Sequence, residues 1–417
     1  MENPPRSTRD SQHGVLMTLT AAFLGWLLDG FELGLFPVVA RPALQDMLGP
    51  AVEGGVGLWM GRITAAFLVG AALGGALFGW LGDRIGRVRA MSWSVLCYSL
   101  FSAAGFWATE PMHLAAVRFV AALGMGGEWA LGVALVMETW PDRFRPWLAA
   151  AIGAASNLGM LLVGIVAKYF PVTPDSWRWL FLVGASPAVL TLVIRLWVPE
   201  SERWKQAAAA NDHSASELRA ILSPPLLRVT LTGVALSAVA LIGTWGSIQW
   251  IPAWADQITE GKLPGAKADV QMVSSLMAAV GAVVGPVFLA RLARRTAYAL
   301  LCASSLAACI WLFRFPSPWG GLFLVKTGFA AFTTAAFYGF FPLYFPELYP
   351  TLVRATGQGV CYNSGRLVAA AGALASGQLV SYLGGYAQMG ATVTLVYVAG
   401  ILLAFTAPET RGKPLPA

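Results

Sequence analysis

Long apolar runs recur along the whole chain, and no other feature restricts its fold as much. Twelve stretches of roughly membrane-spanning length can be read, at 16–38, 57–80, 91–108, 113–137, 148–169, 178–198, 229–252, 271–290, 297–314, 319–344, 356–380 and 387–406. A helix needs about 20 mostly apolar residues to cross a bilayer. Hydrocarbon leaves backbone polar groups no partner outside the helix itself. Composition agrees: 57 % of the 417 residues are hydrophobic and 12 % are charged. A soluble domain carries about twice that share of charge, so the water-soluble classes are excluded. The expectation is an all-α membrane protein of twelve transmembrane helices, some interrupted by Pro or Gly, which a surrounding bundle tolerates. Met1–Gly14 is polar and no small-residue cleavage site follows it, so the first run reads as a retained helix rather than a signal peptide. Cys97, Cys302, Cys309 and Cys361 lie in apolar runs at unrelated spacings and read as buried thiols.

The longest polar stretch is Pro199–Arg228, which contains the Ala-rich, charged run Lys205–Ala215. It divides the chain into an N-terminal six-helix bundle (1–198), a cytoplasmic connector (199–228) and a C-terminal six-helix bundle (229–417). Many secondary transporters are organised this way. With both termini placed in the cytoplasm, 18 basic residues fall inside, from Arg6, Arg9, Arg84, Arg87 and Arg89 to Arg411 and Lys413. Only six fall outside: Arg41, Lys168, Arg178, Lys262, Lys267 and Arg314. That excess sets an N-in, C-in topology, and the net charge of +7 follows from it rather than from a nucleic-acid partner. Glycines four residues apart (Gly70 and Gly74, Gly75 and Gly79, Gly281 and Gly285) allow close helix packing or a sliding surface.

Between the second and third runs lies Gly79-Trp80-Leu81-Gly82-Asp83-Arg84-Ile85-Gly86-Arg87-Val88-Arg89. Asp83, at a helix end, can pair with Arg87 or cap a neighbouring helix. Gly86 permits a tight turn, and the arginines hold the loop at the cytoplasmic face. The segment resembles the signature loop of the major facilitator superfamily. Arg118–Trp129 resembles that superfamily's fourth-helix motif, Glu138–Arg145 its following loop, Phe345–Gly357 the loop after helix ten, and Pro408–Lys413 the tail after helix twelve. The resemblance implies two pseudo-symmetric six-helix bundles. It departs at Gly285–Arg295, where the second copy of the signature loop lacks its Asp and Leu289 stands about in its place.

Asp29-Gly30-Phe31-Glu32 resembles a pattern of proton-coupled acid transporters. Gly126-Gly127-Glu128-Trp129 is similar to the sialate/monocarboxylate:proton symporter group, which includes lactate carriers; aromatic-acid:proton symporters are near neighbours. The resemblance implies symport of a small organic carboxylate, lactate foremost, with aromatic acid, sialate or sugar as the alternative cargo.

Ionisable residues inside a membrane are costly and usually functional. Asp29 and Glu32 share one face of the first helix and are candidate proton acceptors; Arg118 is their candidate partner and Glu128 a further one. A carboxyl in an apolar cavity holds its proton more tightly and a guanidinium beside it loosens that hold, so a changing contact couples motion to proton release. The competing reading is a fixed charge network joining helices one and four.

Arg366, near the midplane of the eleventh run with no acid on its own helix, is the candidate anchor for a substrate carboxylate. Its competing reading is an ion pair with another helix. Asn363, Asn157 and Gln249 are candidate polar cavity residues; Trp245, Tyr338 and Phe337 are candidate walls. Lys326 and Arg62 read as snorkelling side chains. The histidines (His13, His113, His213) form no metal-ligand pair, and no nucleotide-binding loop is present. The chain therefore reads as a monomeric transporter of the cytoplasmic membrane, without cofactor or metal and not an enzyme. Its partners are a small organic anion, protons and the bilayer. Sodium coupling and a receptor on a transporter scaffold are the remaining readings.

Overall fold

The computed structural model describes residues 8–49, 53–170, 172–210, 217–260, 262–263 and 265–416. Arg6 of the basic tally and residues 211–216 of the connector lie outside the described residues. A first set of helices is α1 (Thr8–Leu48), α2 (Glu53–Ile85), α3 (Arg87–Ala104), α4 (Pro111–Thr139), α5 (Arg145–Tyr169), α6 (Arg178–Gly184) and α7 (Pro187–Trp197). Two short polar helices follow, α8 (Glu202–Ala210) and α9 (Glu217–Ile221). The second set is α10 (Leu226–Gly246), α11 (Ile251–Ile258), α12 (Ala266–Leu289), α13 (Arg294–Arg314), α14 (Gly321–Tyr344), α15 (Arg354–Leu383), α16 (Tyr386–Val393) and α17 (Val396–Ala404).

Among the described residues, nine helical stretches are long and apolar enough to cross a membrane. The third, sixth and eleventh expected runs fall short for visible reasons. Helix α3 has only 18 residues and carries Arg87, Arg89, Ser92, Ser94, Ser99 and Ser102. The sixth run is broken between α6 and α7 just ahead of Pro187. Helix α15 carries Gln358, Asn363, Ser364 and Arg366 along its length.

The two sets pack in matching ways: α1 on α5 as α10 on α15, α2 on α4 as α12 on α14, and α3 on α4 as α13 on α14. The sets meet through α2 against α15 and α5 against α12 and α14. Lipid tails are as apolar as the side chains, so close backbone approach carries the association. Helix α2 shows the expected close packing on two of its faces. Gly74 faces α4, where a Cβ would come within 1.9 Å of the Leu123 carbonyl. Gly75 and Gly79 face α15, where a Cβ would meet Asn363 Nδ2 at 2.1 Å and the Ala355 carbonyl at 2.6 Å. One face thus packs a set together and the next seals it to the other set. Cys302, Cys309 and Cys361 are buried, Cys97 is half-buried, and all four are free thiols.

Candidate functional site: a cavity between the helix sets and the charge clusters beside it

At one end of the bundle the loop joining α2 to α3 ties the two sets together. Asp83 is fully buried and does both jobs its position allows. Its Oδ1 accepts from Arg87 Nη1 at 2.6 Å and from the Ala355 N–H at 3.2 Å. Its Oδ2 accepts from the N–H and hydroxyl of Thr356 at 2.7 and 2.6 Å, capping the start of α15. Arg87 continues across, donating through Nη2 to the Thr351 carbonyl at 2.6 Å and to Glu138 at 3.1 Å. Glu138 also accepts from Arg354 of the second set at 2.6 Å and from the Ser201 hydroxyl at 2.6 Å. Gly86 has φ +104° and would place a Cβ 2.3 Å from Glu200 Oε2. Glu200 takes the N–H groups of Arg87 and Val88, each at 3.0 Å, where no neighbouring turn supplies an acceptor. Burial pushes the Glu200 carboxyl up, and the N–H groups of Ser201, Val88 and Arg87 with the Arg87 charge offset this only in part. Arg84 stays outside the network, exposed, with its guanidinium 5.4 Å over the Trp80 ring.

The matching cluster in the second set is built differently. Arg294 grips Glu347 with Nε and Nη2, at 3.0 and 2.8 Å, and Glu347 also accepts from Thr410 at 2.5 Å. Glu409 takes the N–H of Arg294 at 3.0 Å, as Glu200 does for Arg87. The residue four places before Arg294, the spacing of Asp83 to Arg87, is Ala290, one place beyond the expected Leu289. Among the described residues, every side-chain hydrogen bond of Arg294 and Glu347 stays within the second set.

Away from this closed end a cavity of about 900 Å³, mouth included, lies between the sets. Of the expected residues, Arg366, Asn157, Gln249, Trp245 and Tyr338 all line it. It reaches Gln271 in the second turn of α12 and Pro252 in the first turn of α11, just past the end of α10. Arg366 is 3 % exposed, and its Nε and Nη1 have no hydrogen-bond partner among the described residues. Its guanidinium lies 5.5 Å from the Tyr362 ring centre, and Tyr362 is in turn stacked on Trp129 at 3.9 Å.

Other expectations are corrected. Asn363 does not face the cavity: its Nδ2 donates to the carbonyls of Gly126 and Gly359, both at 3.0 Å, sealing α15 to the first set. Phe337 is fully buried behind the wall, stacked on Tyr397. Lys326 does not snorkel; it is buried and donates to the Phe315 carbonyl at 2.5 Å and the Ser317 hydroxyl at 2.8 Å. Arg62 is exposed, 5.1 Å over the Trp59 ring. Trp26, Thr244, Gln271, Ser274, Ser275 and Tyr362 line the cavity and were not expected. They sit singly on α1, α10 and α15 and as three on α12, and only the crossing of these four helices brings them to one surface.

The buried charges separate into two groups, whose members are three residues apart on α1 and ten apart on α4. Arg118 is paired with Glu32, not with Asp29, and lies 4.6 Å over the Phe67 ring. Glu32 also accepts from the Ser102 hydroxyl at 2.8 Å. Asp29 instead adjoins Glu128 and faces Arg366. Among the described residues, none donates a hydrogen bond to a carboxyl oxygen of Asp29 or Glu128.

Residues 18–360 match the family described as the Major Facilitator Superfamily. The chain belongs to that superfamily. This superfamily member is a multi-pass transporter of the cytoplasmic membrane, not an enzyme. It is 30 % identical to the inner membrane metabolite transport protein YgcS of Escherichia coli over 94 % of this chain and 91 % of that protein. A probable 4-methylmuconolactone transporter of Cupriavidus pinatubonensis is 29 % identical over 95 % and 91 %. A cis,cis-muconate transport protein of Acinetobacter baylyi is 27 % identical over 98 % of both chains. Among solved structures the transporter is similar to the proton:xylose symporter XylE of Escherichia coli, with a TM-score of 0.80, 18 % identity and coverage of 97 % and 98 %. That likeness carries the fold.

Proposed function

We propose that the transporter moves a small organic carboxylate together with protons by alternating access, and that Arg366 holds the carboxylate. In this reading twelve helices cross the membrane with both termini inside. The halves 1–198 and 229–417 rock about the cavity as one monomer, linked by 199–228. The Asp83 loop then faces the cytoplasm, its charge cluster is the closed inner gate, and the cavity opens outward. The observation that carries the reading is the buried, half-unpartnered guanidinium of Arg366 in a cavity between the halves. A buried cation without its hydrogen bonds is costly, and a bidentate carboxylate supplies them. An entering proton also offsets the anion's charge against the membrane potential.

The aromatic walls (Trp26, Trp245, Tyr338, Tyr362) and the breadth of the cavity favour an unsaturated or aromatic acid over lactate. The relative named for cis,cis-muconate points the same way. A sugar is the second reading, supported by the uncharged polar side chains of Asn157, Gln249, Gln271, Ser274 and Ser275 in the same cavity. Binding tests the two directly, because Trp26 and Trp245 report occupancy through their fluorescence. Titration with cis,cis-muconate, 4-hydroxybenzoate, lactate, sialate and xylose is expected to give saturable quenching by an acid. Arg366→Ala should weaken it by ten- to a hundredfold, since a hydrogen bond to a charged group is worth about 1.5–3 kcal/mol. Saturation by xylose alone would favour the sugar reading.

A further inference from the structure

Asp29 on α1 and Glu128 on α4 are 0 % and 2 % exposed, and their carboxyl groups adjoin. All four carboxyl oxygens lack a donor. Two carboxylates placed together in a membrane interior repel each other and cannot both stay ionised. One proton between them turns two orphaned acceptors into a single strong carboxyl–carboxylate hydrogen bond. The surroundings are arranged for this. The Tyr98 hydroxyl on α3 is buried, without a partner, and beside Glu128. Gly25 leaves room for the Glu128 side chain, since a Cβ there would fall 1.7 Å from Oε1. Glu32, the next acid on α1, is already satisfied by Arg118 and Ser102. From α15, Arg366 faces Asp29, and Tyr362 is the other titratable group directed at it.

Building on the symport reading, we propose that Asp29 and Glu128 hold one transported proton between them, and that this proton frees Arg366 to take the substrate carboxylate. With the pair fully ionised, Arg366 is drawn to Asp29. A proton arriving from the outer solution enters the pair, Tyr98 donates to the remaining charge, and Arg366 turns to the incoming anion. After the halves rock, the anion leaves, Arg366 returns to Asp29, and the proton is released to the cytoplasm. No bond other than the proton's is made or broken. Glu32–Arg118 is then the fixed strut, and the moving proton is on the other pair.

Two measurements test this with wild type, Asp29→Asn, Glu128→Gln and Glu32→Gln. The first needs no substrate: infrared titration of the purified protein through its protonated-carboxyl C=O band. The expected result is one titrating band whose midpoint moves in both D29N and E128Q and holds in E32Q. A band that E128Q leaves in place would overturn the shared site. The second compares, in the same liposomes, accumulation driven by a proton gradient with substrate exchange in its absence. E128Q should lower the ratio of accumulation to exchange by more than tenfold. A ratio unchanged in E128Q, or exchange lost in proportion to accumulation, would overturn the proposal. If wild type neither accumulates nor exchanges any acid, the symport reading fails, while the infrared result still decides the shared proton.

Discussion

The charge clusters at the closed end occupy equivalent places in the two halves, yet only one of them closes anything. Asp83 and Glu138 accept from Ala355, Thr356 and Arg354 of the other half, and Arg87 donates to its Thr351. Arg294, Glu347 and Glu409 bond among themselves and to their own tail. One part of the difference is a single carboxylate; the others are the Arg87–Thr351 and Glu138–Arg354 bonds, which have no counterpart at Arg294 and Glu347. Asp83 can satisfy its own Arg87 and still cap a helix across the interface; Ala290 has nothing to offer α5. In the proposed alternating-access reading, opening this end needs only the Asp83 cluster broken, so the asymmetry bears on where the conformational balance is set.

The largest effect is expected from Asp83→Asn. Removing one partner of a buried ion pair costs about 3–5 kcal/mol because the other charge is left unpaired. The share of that loss carried by the bonds from Ala355 and Thr356 falls on the closed state alone, so distances between spin labels on the loop ends should lengthen into the open population. Glu347→Gln is expected to lower thermal stability by a similar amount while leaving those distances alone; equal opening by both variants would break the comparison. A gain should follow from Ala290→Asp, which gives the second half the missing carboxylate. If it caps α5 as Asp83 caps α15, it should stabilise the closed form by about 0.5–2 kcal/mol, seen as fewer open distances. No change would mean that the equivalence of the halves does not extend to this position.

The smallest effect separates the two helix-capping glutamates by pH. Burial pushes Glu409 up, but the N–H groups of Arg294, Arg411 and Arg295 with the Arg294 charge outweigh it, so its carboxyl is held below the usual range. Its stabilisation is complete above the ordinary glutamate value of about 4.3 and is lost as the pH falls through its lowered value. Glu200 is raised, so ionising it costs stability as the pH climbs from about 4.3 through that raised value. The deficit of Glu409→Gln relative to wild type should therefore grow with pH across the acid range, and that of Glu200→Gln should shrink. Parallel slopes in melting experiments would contradict this assignment.

Much of this was legible in the sequence, because a bilayer demands length and apolarity that show in any window. The Asp83 loop was legible because its charges are local. Arg366 was legible because no acid shares its helix. The pairing of Arg118 was not: Asp29 and Glu32 share a face, but three residues of rise separate them by about 4.5 Å, enough to give each a different partner. Asn363 was misplaced because the face α15 turns to α2 depends on their crossing, which one sequence does not contain. Lys326 found a backbone carbonyl rather than the membrane surface. A signal for Glu200 was present and overlooked: Pro199-Glu200-Ser201 recurs as Pro408-Glu409-Thr410, at the offset that also relates Glu138 to Glu347. The capping role repeats with it.

The central claim is that Arg366 serves an organic anion driven by protons. Uptake into liposomes of purified protein, with an inward proton gradient, tests it most directly. Labelled cis,cis-muconate, 4-hydroxybenzoate, lactate, sialate and xylose would be compared in wild type and Arg366→Ala. The account predicts gradient-driven accumulation of an acid, abolished in R366A. Accumulation of xylose alone, or acid uptake that R366A leaves intact, would contradict it.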